Sequence, residues 1–517
     1  MTSKYDSIQK RMCFIDDILR DSNLQNSNPL NSINNSSETE KFEGNQNKND
    51  NKSLDTRYAL GKQTLKFKDV MEKLNAMAIY VKSGTFGSTF KGVVISNNVV
   101  KKMFAIKMVA YAKREGYGSI NSVTRPENAE ICMLKLLSYF VIKRQTPHLL
   151  IPFCTFNTNI KTFIECWDNN NIEKFKKDDK GSFFKNEKGE YIEFAPKYFI
   201  NNDGKYEVKK KNFFKNEPGD LILIKNIHVD KAKRDDFIKN ECANEHYIKN
   251  NIGELILVNN EKFEKLRSLL ANTKERYYKI NTKYEEFVNN YKNGYFNDTV
   301  SILITEWADR GDLAGFLRRV PPIDNKNLPT FERLNSDQWA RILFQIISTL
   351  AIIQEKYPDF RHNDFKPNNI LVSKVEDSKF ITKYQVGDTK YIVPSLGYCI
   401  YIWDFDFACI PGVIDNKKLH KKWTNRANIK PVRNRYYDVH YFFCTLVYKG
   451  FLPEILSSKR VPQNVKDFIN WVIPFDYRPV AINETRVDPE RCRMLVDDEV
   501  HLPVDILKHD FFSAFRT

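Results

Sequence analysis

The stretch HNDFKPNNILV (residues 362–372) constrains the fold most, because it joins a charged loop directly to an apolar run. Ile370, Leu371 and Val372 are apolar and partly β-branched, which predicts a buried strand. Pro367 and the two asparagines after it favour a loop over a regular helix. A polar loop that leads into a core strand often presents catalytic groups, but it also occurs as a simple turn with solvated charges. This stretch alone leaves both interpretations open.

A glycine-containing segment in the first quarter of the chain has the form of a phosphate-binding hairpin. In VKSGTFGSTFKGVV (81–94), Gly84 and Gly87 lie between two β-like runs. Glycines at that spacing let backbone amides approach phosphate oxygens, because no Cβ stands in the way. Most hairpins of this kind are ordinary turns, so the segment alone is weak evidence for nucleotide binding.

A lysine and a glutamate follow in the next two predicted elements. MFAIKMV (103–109) is an apolar strand interrupted by Lys107, which needs a polar environment. An edge-strand lysine that reaches water would satisfy this need, and so would a lysine directed at phosphates under the glycine hairpin. RPENAEICMLKLLSYF (125–140) has helical periodicity, with Pro126 suited to its first turn. Glu130 lies beside the apolar stripe, where it either solvates the first turn or pairs with Lys107.

In this order, the glycine turn, the strand lysine, the helix glutamate and the 362–372 loop resemble the motifs of the eukaryotic-type protein kinase superfamily. Four more segments resemble kinase elements: HLLIPF (148–153) the fourth strand, ILITEWADRGDLAGFL (302–317) the fifth strand with the hinge and next helix, WDFDFA (403–408) the metal-binding motif, and YYDVHYFFCTLV (436–447) a long buried helix. Several independent motifs in the right order make chance agreement improbable.

The second half of the chain resembles one kinase family more closely. WDFDFACIPGVIDNKKLHKKW, followed by YYDVHYFF, is similar to the poxvirus virion protein kinase family and its relatives in giant DNA viruses. In that family, too, the third residue of the metal-binding motif is Asp and the catalytic triplet lacks its usual Arg. The resemblance therefore implies a viral kinase.

The resemblance implies an α+β, bilobal protein kinase fold over residues 70–517. A small antiparallel, β-rich N-lobe with one key helix is expected at about 75–156 and 301–308, and a larger helical C-lobe at 309–517. The Asn/Lys-rich zone at 157–300 is then a long insertion between the fourth and fifth N-lobe strands.

Two low-complexity regions carry separate predictions. Residues 1–60 hold a short amphipathic piece (Cys13 to Leu19) and an Asn/Ser-rich tract with too little apolar surface to offset its ordering entropy, so this region is predicted to be disordered. In the insertion, FFKNEKGEYIEF (183–194) and FFKNEPGDLILI (213–224) indicate a duplicated hairpin.

The resemblance also implies the chemistry of the site, which would transfer phosphate from ATP with Mg²⁺. A base, a charge clamp, a phosphate-binding lysine and its glutamate partner are expected, and these are Asp364, Lys366, Lys107 and Glu130. Asn369 and Asp404 would hold Mg²⁺ through oxygen ligands. Lys366 is typical of serine/threonine kinases, so the expected acceptors are Ser and Thr hydroxyls. His362 is interpreted as structural.

The nucleotide-binding residues implied by the resemblance lie in the glycine hairpin, the lysine strand and the hinge. They are Val81, Lys82, Ser83, Gly84, Thr85, Phe86, Gly87, Ser88, Thr89, Lys107, Glu306 and Ala308, with Thr305 as gatekeeper. Glu306 and Ala308 would contact adenine through their backbones.

The chain departs from the usual kinase pattern at several positions. Lys82 replaces the first glycine of the loop, and Thr89 replaces the valine that usually covers adenine. Asn363 replaces the arginine of the catalytic loop, and Asp406 replaces a glycine of the metal-binding motif. No Ala-Pro-Glu triplet occurs between Asp404 and Asp438. Because Asn363 replaces the arginine that normally contacts a phosphate on the activation loop, control by such a phosphate is not expected. None of these changes removes a group needed for transfer, so an active enzyme is favoured.

Three alternatives remain open from the sequence. A pseudokinase scaffold would bind partners through the insertion, although the catalytic residues are all present. A small-molecule phosphotransferase shares the loop Asp and Asn, but Lys366-Pro367 and the glycine hairpin argue against it. A nucleic-acid binder could use the net charge of +16, yet the lysines crowd into 161–293 without the pattern of a known module, so no sequence-specific nucleic acid is expected.

The remaining expectations concern location and partners. Nine scattered cysteines without zinc spacing favour a reducing compartment. The N-terminal residues lack a signal-peptide pattern and Thr2 excludes myristoylation, while no 18-residue apolar run predicts a transmembrane helix. By resemblance, the expected setting is the host cytoplasm and the virion, with Ser/Thr protein substrates that include viral structural proteins.

Overall fold

The computed structural model describes residues 7–22, 24, 28, 60, 62–83, 87–96, 99–168, 286–320, 328–375, 381–448, 451–479 and 486–517, with short strands between 183 and 258. The chain divides into two compact units. The larger unit comprises residues 1–62, 114–155 and 305–517, and the smaller unit comprises residues 63–113 and 156–304.

The described strands and helices are as follows. The strands are Gln63–Thr64 (β1), Ala76–Ser83 (β2), Gly87–Ser96 (β3), Val99–Ala112 (β4), Pro152–Asn159 (β5), Phe183–Lys185 (β6), Tyr191–Glu193 (β7), Tyr198–Ile200 (β8), Tyr206–Val208 (β9), Phe213–Lys215 (β10), Leu221–Leu223 (β11), Phe237–Asn240 (β12), Glu245–Lys249 (β13), Leu255–Val258 (β14), Phe296–Glu306 (β15), Ile370–Lys374 (β16), Ile381–Val386 (β17), Thr389–Pro394 (β18) and Tyr398–Ile402 (β19). The α-helices are Ser7–Ser22 (α1), Phe67–Lys73 (α2), Pro126–Ile142 (α3), Ile160–Asp168 (α4), Leu313–Arg318 (α5), Thr330–Arg333 (α6), Ser336–Lys356 (α7), Lys422–Arg426 (α8), Tyr437–Val447 (α9), Glu454–Ser457 (α10), Gln463–Val472 (α11) and Pro503–Ile506 (α12).

A six-stranded sheet has the order β1-β5-β15-β4-β3-β2. The pairs β2–β3 and β3–β4 are antiparallel, whereas β1 pairs with β5 in parallel. Strand β4 shows why this segment forms a strand: Phe104, Ile106, Met108 and Ala110 are fully buried and alternate with more exposed residues such as Lys107. That period of two buries one face of the strand in the core.

Helices of the larger unit position the 362–372 loop. Helix α7 begins at a capping box in which the Asn335 side chain accepts from the Gln338 N–H and the Gln338 side chain accepts from the Asn335 N–H. Helix α9 is buried along its whole length, as its apolar sequence predicts. Helix α9 packs against the turn Pro367–Asn369 within this loop.

The duplicated hairpin predicted in the insertion is confirmed. Strands β6 and β7 pair antiparallel with Phe184 opposite Ile192, and β10 and β11 pair with Phe214 opposite Ile222. The two hairpins have the same register. A further hairpin, β8–β9, lies between them in the sequence, and β12, β13 and β14 form a three-stranded sheet.

The structure corrects several predicted boundaries. The fourth strand was expected at 148–153, but β5 begins at Pro152 and runs to Asn159, because residues 148–151 form an extended, buried connection that bridges to Ile402. The range predicted as insertion, 157–300, also contains helix α4 and the first part of β15. Helix α3 clusters with the larger unit, where Phe140 packs against Tyr357.

The prediction of disorder over residues 1–60 is wrong for residues 7–22, which form helix α1. Its apolar residues Ile8, Ile15, Ile18 and Leu19 are buried. The amphipathic pattern therefore determines the structure of this segment, despite the Asn-rich composition around it. Most of the remaining residues of that region lie outside the described part of the chain. No helix in the described part has the length and apolar content needed to cross a membrane.

One ion pair fastens helix α1 to the larger unit. The guanidinium of Arg11 donates from Nε and Nη2 to both carboxylate oxygens of Glu306, each at 2.7 Å. It also donates to the backbone carbonyls of Pro147 and Leu149. Both side chains of the pair are only 11% exposed, so this bidentate contact is largely desolvated.

We expect Arg11→Ala to lower the free energy of unfolding by about 3 kcal/mol, because it leaves a buried carboxylate without its cation. Urea denaturation measures this loss, and limited proteolysis should show faster cleavage near helix α1. Arg20→Ala is the matched control, because Arg20 pairs with Asp17 on the exposed side of the same helix. Equal effects of the two substitutions would contradict this interpretation.

A second stability prediction concerns His148. Burial lowers its pKa to about 3, even though the ring hydrogen-bonds to the carbonyl of Ile400 and the hydroxyl of Tyr384. Because the folded state holds the neutral ring, its contribution to stability is complete above pH 6.5 and declines as the pH falls below that value. At pH 5 the expected loss is about 2 kcal/mol.

The measurement is urea denaturation across pH 5–7.5 for the wild type and for His148→Gln. The variant should show a shallower decline below pH 6.5, since it has no ring to protonate at this site. His420→Gln is the control, because His420 is exposed. An unchanged slope in His148→Gln would show that other groups cause the pH dependence.

Candidate active site

The Asp438 carboxylate of helix α9 holds the backbone of the 362–372 loop in place. The amide N–H groups of His362 and Asn363 donate to the two carboxylate oxygens of Asp438, at 2.7 and 2.9 Å. Burial raises the pKa of the Asp438 carboxyl. The His362 ring is fully buried, and its Nε2 contacts the carbonyl of Trp403 at 3.0 Å, which is a structural role as expected.

Asp364 lies in this loop with both carboxylate oxygens occupied. Its Oδ2 accepts from Lys366 Nζ at 2.7 Å and from Asn369 Nδ2 at 2.9 Å. Its Oδ1 accepts from Arg493 Nη2 at 2.8 Å. Burial acts to raise the pKa of Asp364, but the charges of Lys366 and Arg493 lower it below its usual value. The side chain is therefore a carboxylate near neutral pH, the form that can accept a proton.

The two expected metal ligands lie side by side. Strands β16 and β19 pair with Ile370 opposite Ile402, so Asn369 and Asp404 flank the same end of this two-stranded sheet. The N–H of Trp403 donates to the carbonyl of Asn369 at 3.0 Å, which fixes the two segments together. Asp404 has a positive φ of 64°, a conformation that Asp tolerates better than most residues.

The side-chain oxygens of Asn369 and Asp404 suit a hard cation whose remaining ligands are other oxygen atoms. The described part of the chain has no group of three His, Cys, Asp or Glu that could enclose a metal by itself. Mg²⁺ is commonly held by one or two side-chain oxygens together with phosphate oxygens and water. Asn369 commits its Nδ2 to Asp364, which leaves its amide oxygen as the atom available for a cation. The residues present therefore fit Mg²⁺.

The smaller unit holds the glycine hairpin and the strand lysine. In the pairing of β3 with β4, Thr89 lies directly opposite Lys107, which is partly buried. Gly87 begins β3, and a Cβ at this position would clash with the carbonyl oxygen of Met108. Gly87 is thus required by strand pairing, whatever further role it has. Gly84, Thr85 and Phe86 lie outside the described residues.

The expected hinge residues are at the end of β15. Thr305 is fully buried, and Ala308 is 7% exposed. The Glu306 carboxylate accepts from Arg11 and from the Ile151 N–H at 2.8 Å. Its side chain is therefore occupied by structural contacts, which leaves only its backbone for the nucleotide contact that the sequence predicts.

Comparison with known proteins decides the family. The model described as Poxvirus serine/threonine protein kinase matches residues 323–484. A protein of Acanthamoeba polyphaga mimivirus that is named as a serine/threonine-protein kinase is 32% identical over 461 residues, covering 88% of this chain and 73% of the relative. The chain belongs to the poxvirus-type serine/threonine protein kinase family.

Two further comparisons show weaker similarity. Serine/threonine-protein kinase 2 of vaccinia virus is 29% identical over 143 residues, covering 26% of this chain and 28% of the relative. A solved kinase-domain structure is 12% identical and covers 84% of this chain and 95% of its own, with a TM-score of 0.26. Family membership confirms the predicted α+β protein kinase fold.

Within this kinase, the larger unit brings together four of the predicted site residues. Asp364, Lys366 and Asn369 contact one another, and Asp404 lies beside Asn369. Glu130 is on helix α3 in the same unit and is 4% exposed. Helix α3 packs against the turn Phe405–Phe407 that follows Asp404. The residues from Val81 to Thr89 and Lys107 belong to the smaller unit.

Asp406 occupies the position where the usual kinase motif has a glycine, and its carboxylate pairs with Lys418. The ammonium of Lys418 also lies 3.9 Å from the centroid of the Phe407 ring. The charge of Asp406 is thus offset within its own segment.

Two residues of the site were missed from the sequence. Asp438 is an acid inside an otherwise apolar run, and that pattern alone signals a buried structural carboxylate. Arg493 was not predicted, since it lies 129 positions from its partner Asp364. Its segment, DPERCR, was recognised only as resembling the closing helices of a kinase, with altered arginine spacing.

Proposed function

We propose that this kinase transfers the γ-phosphate of ATP to serine and threonine hydroxyls of protein substrates and requires Mg²⁺. The observation that carries the proposal is the position of the Asp364 carboxylate, which accepts hydrogen bonds from Lys366 and Asn369. The backbone of Asn369 is bonded in turn to the segment that holds Asp404. In this proposal Asp364 is the base, Lys366 is the cation, and Asn369 and Asp404 are the metal ligands that phosphoryl transfer requires.

Each side chain has a proposed task. Asp364 accepts the proton of the substrate hydroxyl and orients that hydroxyl. Lys366 offsets negative charge on the transferred phosphoryl group, and Asn369 and Asp404 supply oxygen ligands to Mg²⁺. When bound, Mg²⁺ neutralises the phosphate charge that develops during transfer.

The proposed nucleotide contacts come from the glycine hairpin, the lysine strand, helix α3 and the hinge. Lys107 holds the α- and β-phosphates, with Glu130 as its partner, and the hairpin from Val81 to Thr89 covers the phosphates through backbone amides. The backbones of Glu306 and Ala308 contact adenine. These assignments rest on the kinase motifs at these positions and on family membership.

The setting is proposed from the relatives. The named relatives are kinases of viruses, so the proposed location is an infected host cell or the virion. Substrates there include viral structural proteins.

The proposal is tested by incubating purified full-length protein with radiolabelled ATP and a basic protein substrate. We expect label on phosphoserine and phosphothreonine and its loss when EDTA removes Mg²⁺. Addition of excess Mg²⁺ should restore transfer. Tight ATP binding without transfer to any substrate or to the protein itself would instead favour the pseudokinase scaffold.

A further inference from the structure

The catalytic loop of this kinase has no arginine directly before Asp364, although Arg361 precedes His362. Asn363 stands at that position and has a positive φ of 63°. Its side-chain amide donates to the carbonyl of Phe407 at 3.1 Å and so ties the loop to the segment after the metal motif. Asn363 supplies a structural contact but no positive charge.

An arginine from a distant segment reaches the same place. The segment around Arg493 is a tight hairpin, in which the Asp488 N–H donates to the Arg493 carbonyl and Val487 bridges to Met494. Cys492 has a φ of 55°, an uncommon conformation for a residue other than glycine. This hairpin directs the Arg493 side chain inward, where it is 6% exposed.

The guanidinium of Arg493 is bound on several sides. Nη2 donates to Asp364 Oδ1 at 2.8 Å, while Nη1 donates to the carbonyl of Asn363 and to the hydroxyl of Tyr437 at 3.0 Å. The guanidinium carbon also lies 4.1 Å from the ring centroid of Tyr441. Burying a cation is costly, so its one close carboxylate, among the residues described, is a specific partner.

We propose that Arg493 is a positioning residue for Asp364, and that it replaces the cation absent at position 363. Lys366 and Asn369 bind Oδ2, so without Arg493 the carboxylate is held at one oxygen only and can rotate about χ2. With Arg493 in place, Oδ1 still has a second lone pair for a substrate hydroxyl. This inference rests on the proposed role of Asp364.

Orientation of Asp364 matters more than its basicity, because catalysis of phosphoryl transfer is mostly positioning and charge stabilisation. A misplacement of about 1 Å in such a site can lower the rate by about 10²-fold. We therefore expect Arg493→Ala to lower kcat by about that factor while the KM for ATP stays within about twofold. Arg493→Lys keeps the positive charge but loses the planar guanidinium that donates in several directions, so an intermediate kcat is expected.

Three comparisons separate positioning from general destabilisation. Arg491→Ala is the control, since Arg491 is in the same hairpin but pairs with Asp488 at the surface. Guanidinium ion at a concentration below that which unfolds the protein should restore part of the kcat lost in Arg493→Ala. In an Asp364→Asn background, Arg493→Ala should cause little further loss, because it acts through the missing carboxylate.

The outcomes divide clearly. A folded Arg493→Ala protein with wild-type kcat, or additive losses in the double variant, would overturn the inference. If Arg493→Ala does not fold, Arg493→Lys decides: a wild-type kcat there overturns it, and a lower kcat with unchanged KM for ATP supports it. If Asp364→Asn itself retains full activity, the proposed function of Asp364 fails instead, whatever Arg493 does.

Discussion

Asp364→Asn is expected to lower kcat for phosphoryl transfer by about 10²–10⁴-fold, the usual contribution of a general base. Asparagine has nearly the same shape, but it cannot accept a proton. Its amide group also cannot accept hydrogen bonds at both of its polar atoms, whereas the carboxylate accepts from Lys366, Asn369 and Arg493. Initial rates with radiolabelled ATP measure the loss, with the KM for ATP determined in parallel.

Asp388→Asn is the matched control for this substitution. Asp388 is exposed in the turn between β17 and β18, and its replacement should leave kcat unchanged. Circular dichroism and thermal melting establish that both variants are folded. Wild-type kcat in folded Asp364→Asn would exclude Asp364 as the base and would reopen the assignment of the whole loop.

Asp404→Asn is expected to lower the rate by about 10³-fold, because it removes the charged member of the proposed pair of metal ligands and with it several kcal/mol of transition-state stabilisation. Asparagine is preferred to alanine here, since Asp404 has a φ of 64° and asparagine tolerates this conformation. The backbone should therefore stay in place, so that the loss reports on the metal ligand. The variant should also need more Mg²⁺ to bind ATP.

Two measurements check this second prediction. Transfer rates are measured over a range of Mg²⁺ concentrations, and the binding of ATP is titrated with and without Mg²⁺. Asp415→Asn is the control, because Asp415 is an exposed aspartate of the same segment that accepts from the Gly412 N–H. If Asp404→Asn binds ATP with the Mg²⁺ dependence of the wild type, Asp404 is not a metal ligand.

The 362–372 loop could be predicted because its candidate site residues are close in sequence. Asp364, Lys366 and Asn369 lie in one turn, and the apolar residues after them pair with β19 as the pattern indicates. The order of the kinase motifs also predicted that Asn369 and Asp404 lie close to each other. Short-range patterns of this kind carry both the type of element and the side chains it presents.

The rest depends on contacts between distant segments. The Arg493–Asp364 pair joins residues 129 positions apart, and the Arg11–Glu306 pair joins residues 295 positions apart. Neither arginine belongs to a local motif. The amphipathic piece in helix α1 was visible, but the Asn-rich composition of the region led to a prediction of disorder. The start of β5 was misplaced because the apolar residues 149–151 are buried without forming a strand. Burial alone does not distinguish a strand from a packed loop.

One experiment tests the central claim that Asp364 lies in an active serine/threonine kinase site. Purified wild type, Asp364→Asn and Asp388→Asn are incubated with radiolabelled ATP, Mg²⁺ and a basic protein, and the labelled residues are identified. We predict label on serine and threonine with the wild type and Asp388→Asn, and loss of nearly all label with Asp364→Asn, which should still bind ATP. Equal labelling by Asp364→Asn, or no labelling by the ATP-bound wild type, would contradict the claim.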